Sequence, residues 1–349
     1  MTMPIESGRA ASATRESTEM SIESKGLQDD PARSRNLGET AFKGLHFAWL
    51  EITGKCPLQC SFCYAGSSPQ GTHGTMTHQE WLQSIDQVRD AGAEMVQFIG
   101  GEPTMHPGLP EFVDRALNND MKVEVYSNLA HVSDNLWQVF TQDGVQLATS
   151  YFSSDPAEHD AITMNRGSHA RTKANIQLAI EKGVDLRVGL IHALNEQDTS
   201  EALDELLVMG IDSTNIGYDN VRGVGRGAHD QEKEPCLDEL CGHCSDGVIA
   251  ILPNGDVQPC VFSRWDALTV GNVQEMPLAD ILRSERFAQI QSDLVAGFAK
   301  RAIEMCRPGC SPHNGCAPIQ CNPCAPATTE RPRPKPRPRL TLENSAPQE

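Results

Sequence analysis

The chain has 349 residues, of which 39% are apolar and 5% aromatic, and its formal net charge is −18. That length suits one large domain plus an appendage, and the apolar share is enough for a core. The excess of 47 acidic over 29 basic residues disfavours nucleic acid as a partner. We find no apolar run of membrane-spanning length and no apolar signal region in the polar N-terminal segment. We therefore expect a cytoplasmic protein with no membrane partner.

Strand and helix patterns alternate from about residue 44 to residue 218. The predicted strands are His46–Ile52, Met95–Ile99, Val123–Tyr126, Gln146–Tyr151, Asp185–Ile191 and Thr214–Tyr218. The predicted helices are one that begins at the capping box Thr77-His-Gln-Glu80, then Leu109–Leu117, Asp134–Phe140, Arg171–Lys182 and Ser200–Met209. This alternation predicts an α/β fold with a parallel sheet, and in its barrel-like form the functional loops follow the strands.

The sequence pattern changes after Gly227, where the predicted segments become short, loop-rich and full of cysteine. We expect four regions. They are a disordered polar N-terminus (1–40), a partial (β/α)6 TIM-like barrel (41–227), a cysteine-rich extension whose core needs metal support (228–325) and a disordered Pro/Arg-rich tail (326–349).

Twelve cysteines are many for a chain with no export signal, so metal or cluster ligation is preferred over disulfides. Cys56, Cys60 and Cys63 follow the first strand at C-x₃-C-x₂-C spacing. Three thiolates at this spacing can hold three irons of a [4Fe–4S] cube and leave the fourth iron open to another ligand. The triplet therefore indicates a cluster that takes part in a reaction rather than one that only stabilises the fold.

This triplet, with Phe62 before its last cysteine, resembles the signature of the radical S-adenosylmethionine (SAM) enzymes. The second strand ends in Gly100-Gly101-Glu102-Pro103, which resembles the GGEP motif of the same family. The resemblance implies that SAM binds the open iron and that a reduced cluster cleaves it to methionine and a 5′-deoxyadenosyl radical. That radical would abstract hydrogen from a C–H bond, with the electron supplied by a donor such as flavodoxin or ferredoxin.

The resemblance also implies a set of SAM-binding residues, which are Gly100, Gly101, Glu102, Asn128, Ser150, Arg166 and Ile191. In this set the two glycines let the backbone approach SAM, and Glu102 engages the methionine ammonium. Arg166 is similar to a loop arginine that meets the SAM carboxylate. For Asn128, Ser150 and Arg166 the alternative is an ordinary turn, strand-end or surface residue.

The spacing Cys244-x₁₀-Gly255-x₄-Cys260 resembles the start of the SPASM extension, and Asn254-Gly255 predicts a hairpin turn. The resemblance implies two auxiliary [4Fe–4S] clusters. The first would be held by Cys244, Cys260 and Cys321 together with Cys241 or Cys236, and the second by Cys306, Cys310, Cys316 and Cys324. One thiol, Cys236 or Cys241, is then spare, either as a hydrogen-atom donor or as a structural thiol.

Zinc is the rival metal, because Cys241-x₂-Cys244 and Cys321-x₂-Cys324 have the spacing of zinc knuckles. Beside a SAM-cluster motif, iron–sulfur is preferred.

Three functions are compatible with these patterns. The first is maturation of a ribosomally made peptide into a natural product, by crosslinking or epimerisation. We expect the roughly forty residues before the barrel to be too few for a leader-recognition domain, so a separate recognition protein would serve. The second is a small-molecule epimerase or dehydrogenase of aminosugar type. The third is a non-catalytic iron–sulfur or zinc scaffold, for which the GGEP motif would have no purpose.

Overall fold

The computed structural model describes residues 44–193, 197–230 and 236–305. Its strands are β1 Phe47–Thr53, β2 Met95–Gly100, β3 Lys122–Tyr126, β4 Val145–Tyr151, β5 Asp185–His192, β6 Ile216–Asn220, β7 Val248–Ile251, β8 Asp256–Gln258 and β9 Gly271–Asn272. Its helices are α1 His78–Asp90, α2 Leu109–Asn118, α3 Asp134–Phe140, α4 Pro156–Thr163, α5 Ser168–Glu181, α6 Ser200–Met209, α7 Arg226–Asp230, α8 Leu278–Arg283 and α9 Glu285–Met305.

One nine-stranded sheet runs through the described residues in the order β6-β5-β4-β3-β2-β1-β7-β8-β9. Strands β1 to β6 pair in parallel with their neighbours, as the alternating pattern predicts. The sheet does not close within the described ranges, and β6 and β9 lie at its two ends. The prediction of an α/β fold built on a partial barrel is confirmed.

The cysteine-rich extension continues this sheet. Strand β7 pairs in parallel with β1, from Phe47 opposite Val248 to Leu50 opposite Ile251. A turn at Gly255, with φ +84°, then leads into antiparallel β8, so the predicted hairpin is present. The extension therefore shares the core of the barrel, which the sequence did not predict.

Four helices of the structure, α4, α7, α8 and α9, were not predicted from the sequence. The region after Gly227 was expected to be loop-rich, yet α9 has 21 residues and buries Phe287, Ile290 and Leu294. Their spacing of three and four residues gives an amphipathic helix, a local signal that lies in a stretch without cysteine. Helix α4 was also missed, because its apolar periodicity is weak and its clearest start signal is the Asp155-Pro156 pair.

Helix α1 shows the predicted capping box. The Thr77 hydroxyl accepts a hydrogen bond from the Glu80 N–H at 3.3 Å, and the Glu80 carboxylate accepts one from the Thr77 N–H at 2.6 Å. This reciprocal pair satisfies two N–H groups that a helix start leaves without internal partners.

Among the described residues, no helix combines the length and the apolar character needed to cross a membrane. The predicted terminal segments fall outside the described residues. So do five predicted cluster ligands, which are Cys306, Cys310, Cys316, Cys321 and Cys324.

Candidate active site

A cavity of about 200 Å³ lies at the carboxyl ends of the parallel strands, where a barrel places its functional loops. It brings together most of the residues that the sequence singled out. Those that line it are Cys56, Cys60, Cys63, Gly100, Gly101, Asn128, Ser150 and Ile191. Of the predicted SAM-binding residues, only Glu102 and Arg166 are absent from its lining.

The loop that carries the three cysteines is held by main-chain hydrogen bonds. The Cys56 N–H donates to the Ser68 carbonyl at 3.0 Å, and the Cys63 N–H donates to the Cys60 carbonyl at 3.2 Å. The Arg226 guanidinium donates to the carbonyls of Cys60, at 2.9 Å, and Ser67, at 2.7 Å. Arg226 thus fixes the loop from outside it. This role of Arg226 was not predicted from the sequence.

Gly100 and Gly101 are required by the packing of β2 against the start of the cysteine loop. A Cβ on Gly100, whose φ is +152°, would lie 2.3 Å from the Thr53 carbonyl oxygen. A Cβ on Gly101 would lie 2.3 Å from the Lys55 carbonyl oxygen. The Gly101 N–H also donates to the Thr53 carbonyl at 2.6 Å. The pair therefore aligns the cysteine loop with the sheet, in addition to lining the cavity.

Glu102 is held by hydrogen bonds within the protein. Its side chain is buried and its carboxylate accepts hydrogen bonds from Ser127 Oγ, the Asn128 N–H and the Thr104 hydroxyl, at 2.7 to 2.8 Å. Burial raises the pKa of this carboxyl, and the hydrogen bonds oppose that shift. The carboxylate joins the GGEP loop to the end of β3, and it does not line the cavity.

The Glu102 carboxylate holds the main-chain N–H of Asn128, and the Asn128 side chain lies beside the cysteine triplet. Its Nδ2 lies 3.6 Å from Cys56 Sγ, and its carbonyl accepts from the Thr172 hydroxyl at 2.9 Å. An amide donor beside a cluster thiolate is the kind of hydrogen bond that tunes iron–sulfur centres. Ser150 lines the same cavity with its hydroxyl 3.1 Å from the Tyr126 hydroxyl.

Arg166 is exposed and does not line the cavity, so the predicted contact with a bound carboxylate finds no support in this geometry. Among the described residues that line the cavity, Arg222 is the cationic one. Its guanidinium donates to the Glu239 carbonyl at 2.7 Å and lies 4.4 Å from the centre of the Phe262 ring. Arg222 thus joins the barrel to the extension and also faces the cavity.

Aromatic side chains form one part of the cavity wall. The rings of Phe62 and Phe152 lie 5.5 Å apart, and those of Tyr64 and Phe262 lie 4.9 Å apart. Burial lowers the pKa of His159 to about 4, so this imidazole is neutral near pH 7. Apart from Phe62, which is part of the motif, no local pattern marked these side chains.

The cysteine triplet fits a cluster by the chemistry of its donors. Burial is the main cause that raises the pKa of Cys56 and of Cys60 to about 12, so cluster binding has to displace protons. Within the described residues no group of three His, Cys, Asp or Glu side chains is already arranged as a metal site. The fit therefore depends on three thiols from one loop that face one cavity, with the Asn128 amide beside one of them.

The described auxiliary cysteines lie at the ends of the β7–β8 hairpin. Cys244 and Cys260 are buried, with their sulfurs 3.1 Å apart, and Cys241 shares a hydrogen bond with Cys244. Cys236 is exposed. Neither Cys236 nor Cys241 lines the cavity, so the structure does not place either predicted hydrogen-atom donor where a substrate would react.

Two family models match the chain. The radical SAM superfamily model matches residues 50–206, and the model of an iron–sulfur cluster-binding domain, SPASM, matches residues 231–311. The chain belongs to the radical SAM superfamily. As a radical SAM protein with a SPASM domain, it uses S-adenosylmethionine and [4Fe–4S] clusters. The family predicted from Cys56, Cys60, Cys63 and the GGEP motif is confirmed.

Curated relatives are distant in sequence. The PqqA peptide cyclase of Granulibacter bethesdensis is 25% identical over 51% of this chain and 47% of its own length. The antilisterial bacteriocin subtilosin biosynthesis protein AlbA of Bacillus subtilis is 27% identical over 65% of this chain and 57% of its own. The chain thus spans about half the length of these two relatives.

Solved structures share the fold. Streptococcus suis SuiB bound to its precursor peptide SuiA superposes with a TM-score of 0.59 at 16% identity. The match covers 80% of this chain and 70% of SuiB.

Proposed function

We propose that this radical SAM protein modifies a peptide made by the ribosome, as a step in the maturation of a natural product. The relatives named above support this proposal, because one is a peptide cyclase and another serves bacteriocin biosynthesis. A structural relative binds a precursor peptide. The observation that carries the proposal is the cavity itself, in which three cluster thiols face the GGEP loop and an aromatic wall.

The residues of the chain would divide the work as follows. Cys56, Cys60 and Cys63 hold the cluster, and Asn128 donates to the Cys56 sulfur. Gly100 and Gly101 supply a close main-chain surface for SAM. When bound, SAM supplies the oxidising group that removes a hydrogen atom from a substrate carbon.

The aromatic wall excludes water from the reacting atoms, which protects a reactive species from quenching. Arg222 is the cation that faces the cavity, where it pairs with the Asp219 carboxylate at 3.2 Å, and Ser150 offers a hydroxyl. We assign these two residues to positioning of SAM or substrate.

Crosslinking is the better supported outcome. Epimerisation needs a hydrogen donor on the far face of the substrate radical, and within the described residues the only thiols lining the cavity are the three predicted cluster ligands. A crosslink needs no such donor, because the substrate would lose one hydrogen atom to the group that SAM supplies and the second hydrogen as a proton to solvent, while an electron acceptor receives the remaining electron. Of the predicted auxiliary cysteines, Cys241, Cys244 and Cys260 lie together, and a cluster at that position would serve as such an acceptor.

Two partners complete the proposal. An electron donor such as flavodoxin or ferredoxin reduces the SAM cluster, and a separate protein recognises the leader of the peptide. The domain boundaries near residues 40, 227 and 325 belong to the same proposal.

The proposal is tested with anaerobically reconstituted full-length protein, reductant, SAM and short peptides encoded beside its gene. We expect 5′-deoxyadenosine and a peptide lighter by two hydrogens. Incorporation of solvent deuterium at an inverted carbon, without loss of mass, would indicate epimerisation and contradict the crosslinking assignment. Turnover of an aminosugar with no change in any peptide would overturn peptide modification.

A further inference from the structure

Strand β6 forms an open end of the sheet. Within the described residues it pairs only with β5. The Val221 N–H, just beyond the strand, donates to the His192 carbonyl at 3.3 Å. Because main-chain groups alternate in direction along a strand, Gly217 and Asp219 also face β5, and the main chain of Tyr218 faces the open edge.

The other outward donors of β6 already have partners. The Ile216 N–H donates to the Ser213 carbonyl, and the Asn220 N–H donates to the Asp219 carboxylate at 2.9 Å. The N–H and C=O of Tyr218 therefore form the central pair that an incoming strand would meet. An edge of this kind is a template for pairing with another extended chain.

The outer face beside this edge is apolar and acidic. Tyr218 is 52% exposed, and on α6 Leu207 is 40% and Val208 88% exposed. These are three of the six exposed large apolar side chains in the described residues. Asp204 precedes Leu207 and Val208 by three and four residues on the same helix face. Partial burial and the Asp204 charge raise the pKa of Tyr218.

The same edge leads into the cavity. Asp219, Asn220 and Val221, at the carboxyl end of β6, all line it. Alternate side chains of an added strand would point to opposite faces of the sheet. One set would lie over the outer patch of Tyr218, Leu207, Val208 and Asp204, and the other set would face the mouth of the barrel.

We propose that the open edge of β6 binds an extended segment of the peptide substrate as an additional strand, with basic and apolar side chains over the outer patch. This inference rests on the proposed function and names how the peptide is held. Main-chain pairing provides affinity that depends little on sequence, whereas the patch selects alternate side chains. The acidic charge at Asp204 and the net charge of −18 favour a basic segment.

The test uses reconstituted full-length protein and a fluorescent octapeptide of alternating lysine and valine, with binding followed by anisotropy. Tyr218→Pro removes the outward N–H at a position where an edge strand tolerates proline. Tyr218→Phe is the matched control, because it keeps the main chain and the ring. We expect Tyr218→Pro to weaken binding at least about tenfold and Tyr218→Phe to change it less than about twofold. Hydrogen exchange should show protection of residues 216–220 when the octapeptide is bound.

A second comparison does not depend on the folding of any variant. The same octapeptide methylated on alternate main-chain nitrogens keeps its charge but loses the donors on one edge. Of the two peptides methylated in alternate registers, at least one should bind the unaltered protein about tenfold more weakly. Equal binding of all three peptides, equal effects of Tyr218→Pro and Tyr218→Phe, or no binding at millimolar octapeptide would overturn the inference.

Two outcomes separate peptide binding at β6 from peptide modification. If the protein modifies a precursor peptide and Tyr218→Pro leaves the KM for it unchanged, the edge-binding inference fails while peptide modification stands. If the octapeptide binds at β6 and no peptide is ever modified, the proposed function fails instead.

Discussion

The role of Glu102 can be decided by two substitutions whose effects differ in size. Glu102→Ala removes the acceptor of the Ser127 hydroxyl, which is fully buried, and of the Asn128 N–H. Each buried donor left without a partner costs about 1–3 kcal/mol, so we expect a loss of about 2–6 kcal/mol in the free energy of unfolding. Glu102→Gln keeps the shape and one acceptor oxygen, and we expect a loss of about 1–2 kcal/mol.

The assay pairs urea unfolding with SAM binding to the reconstituted protein, and Glu94→Gln, at an exposed position, serves as the control. If Glu102 only holds Ser127 and Asn128 in place, Glu102→Gln changes the Kd for SAM less than about threefold. If Glu102 binds the methionine ammonium, loss of a hydrogen bond to a charged group costs about 1.5–3 kcal/mol, or at least tenfold in Kd. An unchanged free energy of unfolding together with a tenfold higher Kd for SAM would refute the structural role of Glu102.

Three further predictions concern the sheet, a helix and the cluster. Arg187→Met leaves the buried Glu124 carboxylate without its two guanidinium bonds, both 2.7 Å, and should destabilise the protein by about 3–5 kcal/mol in urea unfolding. Adding Glu124→Gln should restore part of this loss, and no restoration would contradict a charge effect. Thr77→Ala removes the N-cap of α1 and should cost about 1 kcal/mol in the same assay, so an unchanged midpoint would count against the cap. Cys60→Ala should lower the iron content by about four atoms per chain and abolish 5′-deoxyadenosine formation, and full iron content would contradict its role as a ligand.

Much of the barrel could be predicted from local pattern. Helices α3 and α6 have the predicted bounds, since a cap or a terminal glycine marks their ends. The first five strands lie within one residue of their predicted bounds, because each is a short buried apolar run. The sixth begins two residues later than predicted, because Ser213–Asn215 forms a helical turn before it.

Features that depend on contacts distant in sequence could not be predicted. The pairing of β7 with β1 joins Phe47 to Val248, and no local signal encodes a parallel partner so far along the chain. The direction of the Glu102 carboxylate is set by Ser127 and Asn128, which reach it only after β2 and β3 pair. The two motifs thus predicted that the cysteines and glycines lie at one site. Arg166 was assigned to that site by resemblance alone, and it lies outside the cavity.

We propose that Cys56, Cys60 and Cys63 place a SAM cluster where a peptide is oxidised. This claim is tested by the mass of a candidate peptide and the yield of 5′-deoxyadenosine after anaerobic incubation with reconstituted protein, reductant and SAM. We predict a peptide lighter by two hydrogens and at least one 5′-deoxyadenosine for each peptide converted. Intact SAM in the presence of a fully loaded protein, or 5′-deoxyadenosine with every peptide unchanged and a small molecule converted, would contradict the claim.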